Sequence, residues 1–269
     1  MGSLASLEAR LRELGTVLVA FSGGADSAFL LAAAVRVLGA GRVVAATAVS
    51  ASLPATELDE ARAFAASLGV RHLTPATDEM SRDGYRANGA DRCFFCKAEL
   101  LDVLSPLAAE AGVRYVATGT NADDAVAGFR PGIRAAAERG AVTPLLDAGL
   151  TKAEIRATSR EWGLPTWDKP AAACLSSRIA YGIEVSPYRL ARVERAEAAL
   201  RAALGSAGIP VRDLRVRDLG DIARVEVDRE LVGAVAARPD LLAAVAGFDA
   251  VEVDPRGFRS GSMNEALSA

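Results

Sequence analysis

The stretch Ser22-Gly23-Gly24-Ala25-Asp26-Ser27 brings glycines, hydroxyls and a carboxylate together in the combination that holds phosphate. Lacking Cβ atoms, Gly23 and Gly24 let the turn adopt backbone angles closed to other residues and let an anion approach the main chain. Ser22 and Ser27 add hydroxyl donors. The Gly-Lys-Ser/Thr of a Walker A loop does not follow, so γ-phosphate transfer is disfavoured. Sulfur is the second resource. Cys93 and Cys96, in Cys-x-x-Cys spacing, and Cys174 leave structural zinc, a redox pair, iron–sulfur ligation and plain burial open. Zinc wants four ligands, and three thiols come without a good fourth. A thioredoxin-like pair would follow a first strand, whereas a polar loop precedes this one. Three thiols suit a cubane [4Fe–4S] cluster, which keeps one iron open to a reactive group.

Carboxylates and guanidinium groups complete the inventory. Asp123 and Asp124 follow an apolar run, where together with Asp26 they can hold the magnesium that neutralises a nucleotide; the competing reading is that Asn121 to Asp124 caps a helix. Around Cys174, the run Ala173-Cys174-Leu175-Ser176-Ser177-Arg178 offers hydroxyls and a cation that can activate a thiol or bind phosphate. Arg215 and Arg217 alternate along a predicted strand and share a face, and arginine's fork suits phosphate and carboxylate. Glu226, on the neighbouring predicted strand, pairs with one of them or serves as an acid or metal ligand. Ser260, Ser262 and Asn264 read as a hydrogen-bonding loop, and His72, the only histidine, reads as structural.

Elements must position these groups. Val17 to Phe21 is an apolar strand feeding the glycine turn, and Leu30, Leu31, Ala34, Val35 and Leu38 give the next helix one buried side, with its N-terminal N–H groups aimed at the loop. Strands at 42–49, 70–73 and 113–118 alternate with helices at 57–68 and from after Lys97 to about 111. That alternation predicts an α/β fold with a doubly wound parallel sheet, whose ligands sit beyond the carboxyl ends of the strands. Ser22, Thr47 to Ser50 and Gly119 to Asp124 then share one rim, making Ser50, Gly119 and Asn121 candidate ligand residues. The segment 77–91 reads as loop or mobile cover, and Pro131-Gly132 and Gly140 predict irregular structure. Thr151 to Glu154 has capping-box spacing for a helix to Trp162, and prolines 165 and 170 bracket Trp167-Asp168-Lys169 as a rigid connector. Beyond about residue 180 the order becomes helix, two strands, helix and strand, predicting a second, smaller α+β domain with an antiparallel sheet: 1–180 for the first, 181–269 for the second.

A chain of 269 residues, 51% hydrophobic, has ample core, and its net charge of −3 gives no general attraction to nucleic acid or membrane. No run reaches membrane-span length, the first residues read as an amphipathic helix, and an odd cysteine count fits a reducing, cytoplasmic setting. The glycine turn resembles the PP-loop of the ATP pyrophosphatase superfamily, whose members cleave ATP between the α and β phosphates; the resemblance puts pyrophosphate in the loop and magnesium near Asp26. Cys174-Leu175-Ser176-Ser177-Arg178-Ile179, with Asp213 to Arg217, Ala223 to Val227 and Gly257 to Asn264, resembles the LarE sulfur transferases of nickel-pincer nucleotide biosynthesis along nearly the whole chain. That resemblance implies ATP-dependent adenylation of pyridinium-3,5-biscarboxylic acid mononucleotide, then sulfur capture to give a thiocarboxylate. It implies a substrate-phosphate site at Arg178, Arg215 and Arg217, near Ser177 and Glu226, and a homo-oligomer, in family members a hexamer, working beside other enzymes of the same cofactor pathway. Family members with one cysteine at the position of Cys174 sacrifice it to dehydroalanine; those with three hold a [4Fe–4S] cluster, which Cys93, Cys96 and Cys174 favour here. The alternative within the superfamily is an iron–sulfur-dependent tRNA thiolase, disfavoured by the absence of a basic tract. A non-catalytic nucleotide sensor would have no use for Cys174 or the Arg-x-Arg strand.

Overall fold

The computed structural model describes residues 2–126, 128, 130–170 and 174–267. In chain order the elements are α1 (Ser3–Leu14), β1 (Val17–Ala20), α2 (Ala25–Leu38), β2 (Val43–Ala46), α3 (Ala55–Ser67), β3 (Arg71–Leu73), α4 (Asp83–Arg86), α5 (Arg92–Glu110), β4 (Val116–Ala117), α6 (Ala122–Val126), α7 (Pro131–Glu138), α8 (Pro144–Asp147), α9 (Lys152–Glu161), α10 (Pro187–Ser206), β5 (Leu214–Asp218), β6 (Ile222–Val227), α11 (Val232–Ala236), α12 (Pro239–Leu242) and β7 (Ala250–Val253). They fall into two compact units, Met1–Arg82 with Asp91–Ala172, and Asp83–Ala90 with Ala173–Ala269.

The first unit is built on a four-stranded sheet of order β3-β2-β1-β4, parallel throughout. All residues of β1 and β2 are buried, as expected of strands covered by helices on both faces. From β1 the chain winds outward through β2 to β3, then returns to place β4 on the other side of β1. The strand order therefore reverses between β1 and β4, the point where open α/β sheets bind ligands beyond their carboxyl ends. Helix α1 buries Leu7, Leu11 and Leu14, spaced on one face, each contributing roughly 1.5–3 kcal/mol of apolar burial. Phe29 of α2 stacks on Trp162 at 5.1 Å between ring centroids. The predicted capping box is present: Glu154 N–H donates to Thr151 Oγ1, and Thr151 N–H donates to the Glu154 carboxylate.

Three local expectations differ from the structure. Pro131-Gly132, read as a breaker, starts α7: proline at the first helical position gives up an N–H that has no intrahelical partner anyway. Gly132 lies where α7 packs against α5, with the Cys93 carbonyl oxygen at ordinary contact distance from where a Cβ would be. The segment 77–91 is ordered by a 3-10 turn at Glu79–Ser81 and by α4, with Glu79, Tyr85 and Asn88 buried. Strands β2 and β4 are shorter than their apolar runs, although backbone bonding goes on past β2, from Thr47 N–H to the Leu73 carbonyl and in an isolated parallel bridge between Val49 and Ala76.

In the second unit β5 and β6 pair antiparallel, with Arg215 opposite Glu226 and Arg217 opposite Arg224. Strand β7 pairs parallel to β6, making the sheet mixed where an antiparallel one was expected. The crossover through α11 and α12 returns the chain to the end from which β6 started. Helix α10 begins with Ser186 Oγ accepting from Arg189 N–H and Pro187 at its first position, and buries Ala196, Leu200 and Leu204 in this unit's core. The eight residues 83–90 belong to this unit although the chain on either side of them belongs to the first. Asn88, wholly buried and at φ +54°, fastens them: its Nδ2 lies within hydrogen-bond distance of the carbonyls of Ile179, Ala180 and Ile183.

Candidate functional site

At the carboxyl end of β1 the chain passes Ser22 and turns through Gly23, at φ +75°, to Gly24, the N-cap of α2. The turn is braced by its own hydroxyls. Ser27 Oγ donates to the Gly24 carbonyl at 3.1 Å, accepts from Ser22 N–H at 3.3 Å, and stands 3.1 Å from Ser22 Oγ. Ser27 is buried and Ser22 exposed, so Ser22 and the first N–H groups of α2 are what the turn presents to an anion. Gly119, leaving β4, passes so close that a Cβ there would lie 2.9 Å from Ser27 N and 3.1 Å from Ser27 Cα. Only glycine lets the two strand exits meet at the switch point.

Asp26 lies half-buried in the first turn of α2. Its Oδ2 accepts from Asn121 Nδ2 at 3.1 Å, and its Oδ1 has no hydrogen-bond partner among the described residues. Burial pushes the Asp26 carboxyl above its ordinary range, opposed by the Lys152 ammonium. Asn121 is fully buried and does double duty, because its Oδ1 also accepts from Asp124 N–H at 3.1 Å at the start of α6. Asp124 is ion-paired to Lys152 at 2.9 Å, and Asp123 accepts from Lys152 N–H at 2.7 Å, capping α9. Helix capping thus occupies Asp123 and Asp124, while Asp26 keeps a free oxygen. Within this unit no group of three or more His, Cys, Asp or Glu side chains is gathered for a metal among the described residues. Magnesium needs only one or two protein carboxylates when phosphates supply the rest, so Asp26 fits it.

The neighbouring exits carry further polar groups. Ser50 Oγ donates to buried Glu79 at 2.5 Å and Ser52 Oγ does so at 2.6 Å, so the Ser50 hydroxyl is engaged within the protein. Thr47 Oγ1 donates to the Phe21 carbonyl, just ahead of the glycine turn, at 2.7 Å. That hydroxyl has one hydrogen, so His72, 2.8 Å away, donates to it through Nε2. Burial, helped by Arg62, lowers the His72 pKa and keeps the ring neutral.

Cys93 and Cys96 lie inside the first turn of α5, not ahead of it as expected. At i and i+3 they share a helix face, and neither is in a disulfide. Burial lowers the Lys97 ammonium pKa, countered by the neighbouring Cys96 and Cys93 side chains. Soft thiolates one helical turn apart fit iron–sulfur ligation.

In the second unit Cys174 opens the 3-10 turn Leu175–Arg178, with its Sγ 2.9 Å from the buried Ser176 hydroxyl. Ala171–Ala173, the start of the segment expected to carry this cysteine, lie outside the described residues. Arg178 is 4% exposed and donates to both oxygens of Glu197, to the Cys174 carbonyl at 3.1 Å and to Ser177 Oγ at 3.2 Å. Arg217 donates through Nε and Nη2 to Glu226, at 3.0 and 2.6 Å, and reaches the Ser177 carbonyl at 3.3 Å. Ser262 donates to the other Glu226 oxygen at 2.8 Å, and Tyr181 donates to Asn264 at 3.0 Å. Arg215 has its guanidinium 5.2 Å from the Phe258 ring. Its pKa is lowered to about 10, by burial first and then by the neighbouring Arg178 and Arg217 charges. An arginine under such pressure gains from an added anion. Glu226 thus acts as Arg217's partner, and Glu197, which the sequence did not single out, holds Arg178 and also accepts from Val216 N–H.

No family model matches the chain. An uncharacterised protein of Synechocystis is 42% identical over 261 residues, covering 95% of this chain and 94% of its own length. The pyridinium-3,5-bisthiocarboxylic acid mononucleotide synthase of Lactiplantibacillus plantarum is 36% identical over 267 residues, 98% of this chain and 94% of its own. An uncharacterised protein of Methanocaldococcus jannaschii is 27% identical over 175 residues, 64% of this chain and 66% of its own.

Proposed function

This chain belongs to the LarE family of sulfur transferases of nickel-pincer nucleotide biosynthesis, and on that premise we propose that it converts pyridinium-3,5-biscarboxylic acid mononucleotide to its thiocarboxylate with ATP and magnesium. The observation that carries the reading is the crowding of Arg215 with Arg178 and Arg217, Arg178 bonding the carbonyl of Cys174, which suits a substrate bearing a phosphate and two carboxylates. In the first step a ring carboxylate oxygen attacks the α-phosphorus of ATP. The bond to the β-phosphate bridge oxygen breaks, and pyrophosphate leaves toward the glycine turn at Gly23 and Gly24. Asp26 would hold the magnesium that offsets the phosphate charge. The acyl-adenylate formed has AMP as its leaving group, and a sulfur nucleophile adding at the acyl carbon expels it.

A [4Fe–4S] cluster would draw on Cys93 and Cys96, one helical turn apart on α5, with Cys174 as its third thiolate, and would supply an open iron able to carry sulfide. The sacrificial route has its own support in the Ser176 hydroxyl, 2.9 Å from Cys174 Sγ. In that route the thiolate displaces AMP to give a thioester. Loss of the Cα proton and cleavage of Cβ–Sγ then free the thiocarboxylate and leave dehydroalanine.

One experiment tests the whole reading. The protein is incubated anaerobically with ATP, magnesium and the pyridinium mononucleotide, and AMP, product and intact protein mass are followed. AMP release that needs the mononucleotide, with thiocarboxylate formed, is expected. AMP release that needs tRNA instead overturns it. A protein lighter by one H₂S after turnover assigns the sulfur to Cys174; unchanged mass, with a broad visible absorbance lost in Cys93→Ala, assigns it to the cluster.

A further inference from the structure

Lys169 stands beside the phosphate turn and has no part in the chemistry so far. Its Nζ donates to Glu57 at 2.7 Å and to Glu60 at 2.6 Å, both on α3. Its side chain is 16% exposed, and these carboxylates keep its ammonium charged, raising its pKa against the effect of burial. An ammonium has three donors, and the third has no partner among the described residues. Glu57 places this group: its Oε2 lies 3.9 Å, and its carbonyl oxygen 3.8 Å, from where a Cβ on Gly23 would be. The connector carrying Lys169 is fixed from its other side, since Arg156 of α9 donates to the carbonyls of Trp167 and Lys169. The charge of that arginine is felt at Asp26.

An anion seated in the Gly23 turn therefore meets the Glu57 carboxylate at its edge. A carboxylate there repels polyphosphate unless a cation is bonded to it. Lysine serves phosphate as a compact point charge, and Lys169 has a donor left for it. From this geometry we infer that Lys169 is a binding residue for the β and γ phosphates of the nucleotide, held beside the turn by Glu57 and Glu60. The inference rests on the reading of the glycine turn as a phosphate site. It makes the Asp168-Lys169-Pro170 connector, five residues before Cys174, part of the nucleotide pocket.

The test is calorimetric, with magnesium–ATP, inorganic pyrophosphate and AMP as separate probes of the full-length protein. Losing a charge-assisted hydrogen bond to phosphate weakens binding roughly 10- to 100-fold. Lys169→Ala is therefore expected to weaken ATP and pyrophosphate by that factor while leaving AMP within about twofold. A Glu57→Gln/Glu60→Gln variant keeps the ammonium and removes its carboxylates, so it separates phosphate binding from loss of an ion pair. ATP binding retained or tightened in that variant supports the inference. ATP and AMP weakened alike in Lys169→Ala, no weakening, or equal ATP loss in both variants would overturn it. Wild-type protein that binds neither ATP nor pyrophosphate would instead remove the phosphate-turn reading itself.

Discussion

Asp26 is a carboxylate whose burial costs the fold stability. Burial raises its pKa, so the folded protein binds a proton there more tightly than the unfolded chain does. Stability from this site therefore falls as pH rises from the unfolded value of about 3.9 through the folded one, and at neutral pH the charge is a net cost. Asp26→Asn keeps an acceptor for Asn121 and removes the charge. It is expected to raise Tm at pH 7, where 1 kcal/mol corresponds to about 2–4 °C in a chain of this size, and to abolish AMP formation. A lowered Tm would show that the carboxylate is worth more to the fold than its burial implies. The arginine cage is the opposite case. Glu226→Ala leaves Arg217 buried without its carboxylate and near Arg215, and is expected to destabilise by about 3–5 kcal/mol in urea unfolding. The pairing of Glu226 with one of the Arg215 and Arg217 pair was legible in sequence, because the two predicted strands are neighbours and their side chains are chemically distinctive. Glu197 was not: on α10 it looks like any exposed helical glutamate, and only the packing of that helix brings it to Arg178.

At the scale of elements, the glycine turn depends on neighbours contributed by three strands. The alternation of apolar runs and helical periods foretold the parallel sheet, and with it the convergence of Ser22 and Gly119 to Asp124 at one end. It did not foretell how tightly β4 leaves past α2. Gly119→Ala is expected to cost about 1–3 kcal/mol, because the new methyl meets backbone that cannot rotate away, and to impair ATP binding more than the loss in Tm accounts for. Helix α7 was missed for a different reason: proline next to glycine signals a break in mid-element, but a start when proline comes first. On β3, His72 gives the fold a pH dependence. Its folded pKa lies below its unfolded value of about 6.5, so the unfolded chain takes up the proton first and stability declines as pH falls below about 6.5. Substituting glutamine, His72→Gln, which can still donate to Thr47, should flatten that decline in melts between pH 5 and about 7. An unchanged slope would assign it to carboxylates.

Over the whole molecule, no described helix is long and apolar enough to cross a membrane, and the two units carry different halves of the proposed reaction: the nucleotide turn in one, the thiol and arginine cage in the other. The excursion of residues 83–90 into the second unit has no signature in composition or periodicity, since it consists of one short helix and an asparagine whose partners lie about ninety positions away. Asn88→Ala removes donors to the Ile179, Ala180 and Ile183 carbonyls and is expected to destabilise by about 2–4 kcal/mol, with faster amide exchange over 84–90 and 179–185 than in β1 and β2. Because that short visit begins and ends inside the sheet unit's own stretch of sequence, no single crossover between genes can exchange one unit for a foreign counterpart. A recombinant joined after residue 172 would inherit the stretch from Ile179 to Ile183 from one parent and the asparagine that fastens it from the other. Lineages carrying this architecture should therefore diverge by point substitution, with both halves sharing one genealogy.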